Sequence, residues 1–237
     1  MGVLGFAGRA AAVMGFFLIS GSATAALMSF TSKAAFDAAI AALSGVHTVN
    51  FDSVPAGTTF PTGTGTAGIT FTYAIAGPST LQVSNTFGTT SGSNYLGLDN
   101  PDTAFYLGDS FTINFGHTVH AIGLYLIAGN DAQAGDMLLS VAGGSVGNSA
   151  IPDTLVSDGQ AFYVGLFETD PALGFNSATI SGVLSGDAFL AFTVDDITFD
   201  GGRVVPEPGT RGLLLLGLAA LSAMRFALTR RRTRSAL

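Results

Sequence analysis

Cysteine and tryptophan are both absent from the 237-residue chain. Without cysteine there is no disulfide framework, no thiolate metal site, no cysteine nucleophile and no residue to lipidate at a leader cleavage point. Without tryptophan, stacking on a sugar ring would fall to Tyr73, Tyr95, Tyr106, Tyr125 or Tyr163, and the 19 phenylalanines read as core filling. Positive charge is also scarce where the fold must lie. Between Ala26 and Val205 only Lys33 and Arg203 stand against fifteen acidic residues, a net of −13 within a whole-chain charge of −7. With no basic patch to neutralise phosphates, nucleic acid is excluded as a partner. An acidic surface suits solubility and divalent cations. Catalytic signatures are missing as well: no G-x-S-x-G elbow, no H-E-x-x-H, no phosphate-binding loop and no dinucleotide fingerprint. His47 stands alone, and His117 and His120 fall on opposite faces of a strand, a poor clamp for a transition metal.

What is present is most informative at the two ends. At the N-terminus, Arg9 precedes an apolar run, Ala10–Ile19, and Ala23-Thr24-Ala25 fits the small-x-small cleavage rule. Residues 1–25 therefore read as a signal peptide, cut between Ala25 and Ala26. The apolar run is too short to span a bilayer comfortably. At the C-terminus, Gly212–Leu228 is apolar except for Ser222 and Arg225 and is followed by Arg230, Arg231, Arg232 and Arg234. As a helix its seventeen residues rise about 26 Å, enough to cross, with the arginines held at the cytoplasmic side. Before it lies Val205-Pro206-Glu207-Pro208, where two prolines keep the backbone extended and open to a processing enzyme.

The order V-P-E-P-G-T, then a Leu/Gly/Ala-rich span, then R-R-R, resembles the PEP-CTERM sorting tail of exported bacterial proteins. The resemblance covers about thirty residues, Val205–Arg234. It implies recognition by exosortase, cutting near Pro206-Glu207-Pro208, transient residence in the inner membrane, and release to the cell surface or exopolysaccharide matrix. Arg211 and Arg225 depart from the usual pattern without touching the motif, and both weaken the helix as a permanent anchor.

The middle, 26–200, reads as one mainly β domain. A short helix is expected at Thr31–Leu43, with Phe36, Ile40 and Leu43 on one face and Gly45 ending it. Strands are expected at Thr48–Phe51, Ile69–Ile75, Ser110–Phe115, Val119–Ile127, Gln160–Phe167, Ser177–Ile180 and Phe189–Phe199. Gly57–Gly68 reads as a surface loop and 201–210 as a linker. Many short strands separated by Gly-rich turns predict an antiparallel β-sandwich of jelly-roll type.

One stretch breaks the alternation. In Phe192-Thr193-Val194-Asp195-Asp196-Ile197-Thr198-Phe199 the apolar residues change from even to odd positions at the two aspartates, a one-residue slip that predicts a β-bulge. Adjacent carboxylates are costly unless a positive group meets them, and basic side chains are nearly absent. Together with Asp52, Asp195 and Asp196 they form a candidate calcium site. The layout, F-D early and V-D-D-I-T-F late, is similar to calcium-stabilised carbohydrate-binding jelly rolls, which implies that these two segments lie side by side. Asp99-Asn100-Pro101-Asp102 is a weaker acidic candidate, equally well explained as a turn.

The expectation is a non-enzymatic surface or matrix protein, structural or adhesive, with exosortase and exopolysaccharide as partners. A calcium-dependent carbohydrate-binding module is the alternative. A secreted glycoside or polysaccharide hydrolase is a further one, although no pair of carboxylates stands out.

Overall fold

Alternating apolar residues between glycine-rich turns build this chain into two antiparallel sheets. The computed structural model describes residues 26–75, 79–183 and 190–201. In chain order the elements are β1 (Leu27–Phe30), α1 (Lys33–Ile40), β2 (Val46–Val49), β3 (Thr59–Phe60), β4 (Gly65–Thr66), β5 (Ile69–Ala74), β6 (Leu81–Ser84), β7 (Tyr95–Leu98) and β8 (Phe105–Tyr106). They continue with β9 (Ser110–Val119), β10 (Ala121–Ala128), β11 (Met137–Val141), β12 (Gly144–Gly147), β13 (Thr154–Val156), β14 (Gly159–Glu168), β15 (Phe175–Gly182) and β16 (Ala191–Asp200).

The larger sheet runs β1-β14-β10-β16-β7-β6-β3, with β13, β2 and β8 attached to its flanks. The smaller runs β12-β11-β15-β9-β5-β4. The main core lies between them, where Phe71, Phe111 and Ile113 of the smaller sheet meet Leu124, Phe162 and Val194 of the larger. This is the expected β-sandwich.

A second core covers the outer face of the larger sheet. There α1 lays Phe36 and Ile40 over Tyr125, Ile127, Tyr163 and Phe167. Phe36 fits because its floor is the cross-strand pair Gly123 and Gly165. A methyl on Gly165 would come within 2.7 Å of the Phe36 ring, and one on Gly123 within 2.1 Å of the Tyr163 hydroxyl. Covered on both sides, β10 is buried at all eight positions, which explains why it reads as continuously apolar. The helix is anchored at its start by Asp153, whose Oδ2 accepts from the Lys33 N–H (3.3 Å) and the Tyr125 hydroxyl (2.9 Å).

The strands expected from alternation are found, with shifted ends. The helix is shorter than expected: it ends at Ile40, and Gly45, at φ +67°, instead turns the chain into β2. The stretch 57–68, expected as a surface loop, contributes the short strands β3 and β4. Among the described residues no helix is long and apolar enough to cross a membrane. The expected signal segment 1–25 and membrane helix 211–237 lie outside the described residues, as does most of the linker.

Candidate functional site

The centre of interest is the last strand. β16 lies between β10 and β2, and β2 pairs with it through Val49 opposite Ile197 and Thr48 opposite Thr198. The early F-D segment and the late V-D-D-I-T-F segment are therefore neighbours. The ladder between β10 and β16 slips between Gly123–Thr198 and Tyr125–Asp195, leaving one extra residue on β16. That is the bulge expected from the sequence. Its cause shows in the backbone: Asp196 has φ +50°, in the left-handed region that Asp tolerates better than most residues. The bulge lets Asp195 and Asp196 both reach the loop 85–94 between β6 and β7.

That loop supplies hydrogen-bond donors in sequence. Thr90 donates its N–H (2.9 Å) and hydroxyl (2.8 Å) to Asp195 Oδ2, and the same hydroxyl lies 2.9 Å from Asp196 Oδ2. Ser91 donates its hydroxyl to Asp196 Oδ1 (2.6 Å) and its N–H to Asp195 Oδ2 (3.3 Å). Asp195 Oδ1 accepts from the Asp196 N–H (2.8 Å). Asp52 holds the next residues, with Oδ1 accepting from the N–H groups of Ser93 (2.8 Å) and Asn94 (3.1 Å). Between these two grips sits Gly92, at φ +54°; any β-carbon there would come within 1.9 Å of Asp52 Oδ2. Asn94 closes the arrangement by donating to the carbonyls of Val54 (2.8 Å) and Phe51 (3.4 Å). Phe51 itself has φ +60° while its ring is buried in the main core, so the turn carrying Asp52 is held by packing.

All three expected aspartates thus brace one loop. Asp195 is fully buried and Asp196 nearly so. Burial, then the adjacent Asp196 carboxylate, push Asp195 up to about 6, although the Thr90 donors oppose the shift. Among the described residues no three His, Cys, Asp or Glu side chains are grouped as a metal-holding set. Several carboxylate oxygens already accept from backbone N–H groups. The oxygens that converge here are the carboxylates of Asp195 and Asp196 and the hydroxyls of Thr90 and Ser91, already joined to one another by hydrogen bonds.

The histidines have a different place. Asp200, at the end of β16, is fully buried. Its Oδ1 accepts from the N–H groups of His120 (2.7 Å) and Ala121 (2.9 Å), and its Oδ2 lies 3.4 Å from His120 Nδ1. His117 Nε2 lies 3.4 Å from the Asp200 carbonyl, and His47 packs beside Phe199. All three histidines of the chain therefore surround the point where β16 leaves the sheet. Asp200 was not marked out by sequence reasoning, because one Asp ending a strand carries no signal of its pairing with a turn eighty residues away. In the other acidic candidate, Asp99 Oδ1 accepts from the Thr80 N–H (2.5 Å), and Asn100 Oδ1 accepts from the Ala104 N–H (3.2 Å) while its amide donates to the Ala104 carbonyl (2.8 Å). It is a hydrogen-bonded turn.

Of the expected processing residues, only Ala26 lies among those described, where its carbonyl accepts from Thr169. Ala23, Ala25, Val205, Pro206, Glu207, Pro208, Arg230, Arg231, Arg232 and Arg234 lie outside them. Residues 204–232 match the PEP-CTERM protein-sorting motif. The chain thus carries the sorting tail that its sequence resembles, and that motif implies export and processing by exosortase at the membrane. No curated protein matches the chain. Among solved structures it is similar to the K2 cleaved adhesin domain of Lys-gingipain, at 12% identity and a TM-score of 0.40, over 65% of this chain and 99% of that one.

Proposed function

We propose that this chain is a non-enzymatic bacterial surface or extracellular-matrix protein whose β-sandwich is delivered by its tail. The carrying observation is the sorting motif at 204–232. In this reading the signal peptide exports the chain, and the apolar segment with its arginine stop pauses it in the inner membrane. Exosortase then cuts near Pro206-Glu207-Pro208. The released domain takes a structural or adhesive place at the cell surface or among exopolysaccharide. A Glu207→Ala variant expressed in the producing organism tests this. Wild type should leave the membrane fraction and lose mass at its C-terminus, while the variant stays membrane-bound at full mass. Identical fractionation of the two would count against the reading.

A second reading, a calcium-dependent carbohydrate-binding module, is favoured by one observation: a buried pair of carboxylates, Asp195 and Asp196, with no basic side chain as partner among the described residues. A cation there would offset the repulsion between them and tighten the loop 85–94 through Thr90 and Ser91. Cosedimentation of the protein with the organism's own exopolysaccharide, in calcium and in EDTA, decides it. Binding that EDTA removes supports the module. Absence of binding in both buffers leaves the structural role.

A further inference from the structure

A cavity of about 170 Å³ opens beside the braced loop, away from the aspartates. Its lip is Phe87, in the loop 85–94. Its floor is Ile127 near the end of β10 and Ala191 at the start of β16. Its rim is Asp158, in the turn between β13 and β14. Phe87 is 43% exposed yet oriented, because its ring stacks on the buried Tyr95 at 6.1 Å. Asp158 is oriented too: Oδ1 accepts from the Gly88 N–H (2.7 Å) and the Ser157 hydroxyl (3.4 Å), and neither bond engages Oδ2. Thr193 also lines the cavity, and its hydroxyl is buried without a partner among the described residues.

We infer that this cavity receives a basic side chain, lysine or arginine, presented by a partner protein. Three features select that chemistry. The volume is well below the ~300 Å³ at which pockets begin to enclose drug-sized ligands, so it takes one side chain or one ring. The walls are mostly apolar, and the polar side-chain groups among the lining residues are the Asp158 carboxylate and the buried Thr193 hydroxyl. A pyranose would bury several hydroxyls with nothing to pair them, which is costly. A basic side chain concentrates its polarity at one end: its methylene stem lies on Ile127 and Ala191, and its cation meets Asp158 Oδ2 and the Phe87 ring face. The surroundings agree, since the chain between Ala26 and Val205 carries a net charge of −13 and attracts basic partners over distance. The inference does not rest on the sorting role or on calcium.

The test is methyl NMR on the full chain in detergent micelles, titrated with n-butylammonium, 1-butanol and methyl glucopyranoside. The expected result is saturable shifts of the Ile127 and Ala191 methyls with n-butylammonium. 1-Butanol should bind roughly ten-fold more weakly, for want of the charge-assisted bond, and the glucoside should leave these methyls unmoved. Asp158→Asn keeps an acceptor for the Gly88 N–H and removes the charge, so it should erase the preference for the cation. Ala191→Leu fills the cavity and should abolish the Ile127 shifts while leaving the rest of the spectrum folded. Equal binding of 1-butanol and n-butylammonium would overturn the inference. So would binding of the glucoside alone, no response to any probe, or n-butylammonium shifts at Ile127 that survive Ala191→Leu.

Discussion

At the scale of single residues, two positions carry the braced loop, and each makes a separate expectation. Gly92 combines a left-handed backbone with a position where any β-carbon would collide with the Asp52 carboxylate. Gly92→Ala should therefore cost about 1–3 kcal/mol, measured by denaturant unfolding, because both the backbone strain and the displaced Asp52 act in the same direction. Asp195 behaves in the opposite sense to a salt-bridged carboxylate. Its folded value is raised from 3.8 to about 6, so the folded state binds the proton more tightly than the unfolded one. The stabilisation is present in full below pH 3.8 and is lost as pH rises to about 6, a change on the order of 3 kcal/mol. In EDTA, the stability of wild type relative to Asp195→Asn should fall across that window and flatten above it; a difference that rises or stays level would contradict the assignment. Calcium added at neutral pH should raise the melting temperature of wild type if the second functional reading holds, by the ordinary linkage of ligand to folding. The Asp195-Asp196 pair was legible as a break in alternation. Its partners were not, because Thr90, Ser91, Gly92, Ser93 and Asn94 have the composition of any surface turn. Nothing local in such a stretch says that the N–H groups of Thr90 and Ser91 point at Asp195, far along the chain, or that those of Ser93 and Asn94 point back at Asp52.

At the scale of elements, the strands were legible and their edges were not. Ile69, Phe71, Phe111 and Ile113 alternate cleanly because each has one face in the main core and one toward solvent. β10 gave only a continuous apolar run, and the structure supplies the reason in α1, which buries its second face. The helix was overextended by expectation because Ala41, Ala42 and Leu43 continue its composition, whereas the described helix ends at Ile40, where only Phe36 and Ile40 are buried. Docking of α1 thus centres on the Phe36 ring over a floor of two glycines, with Ile40 buried beside it and Asp153 holding the helix start. Phe36→Ala should cost about 3–5 kcal/mol and expose the segment around α1 to limited proteolysis before the sandwich itself unfolds. If the variant melts as a single unit with no early cleavage, α1 is more deeply integrated than this packing implies.

At the scale of the whole molecule, charge divides the chain. The acidic part is the sandwich, and the basic part is the tail that follows the motif. The last strand joins the two. β16 pairs with β10 and β2, carries the bulge with its two aspartates, and ends at Asp200 among the three histidines before the chain runs on to Pro206-Glu207-Pro208. A cut near the motif would leave this strand and its partners intact, so the released domain should keep the fold and melting temperature of the uncut one. The sorting tail was the most legible part of the sequence, since motif, apolar span and positive stop act through order and composition and need no tertiary contact. The sandwich's ligand was the least legible, because binding depends on what the loops bring together in space.

The central claim is that the tail is removed, and the most direct measurement is the C-terminus of the protein that reaches the cell surface or matrix. Peptide mass spectrometry of that fraction should find a C-terminus near Pro206-Glu207-Pro208 in wild-type cells, and a chain running through to Leu237, held in the membrane, in cells lacking exosortase. Surface protein that retains Arg230–Arg234 in wild-type cells would contradict the account.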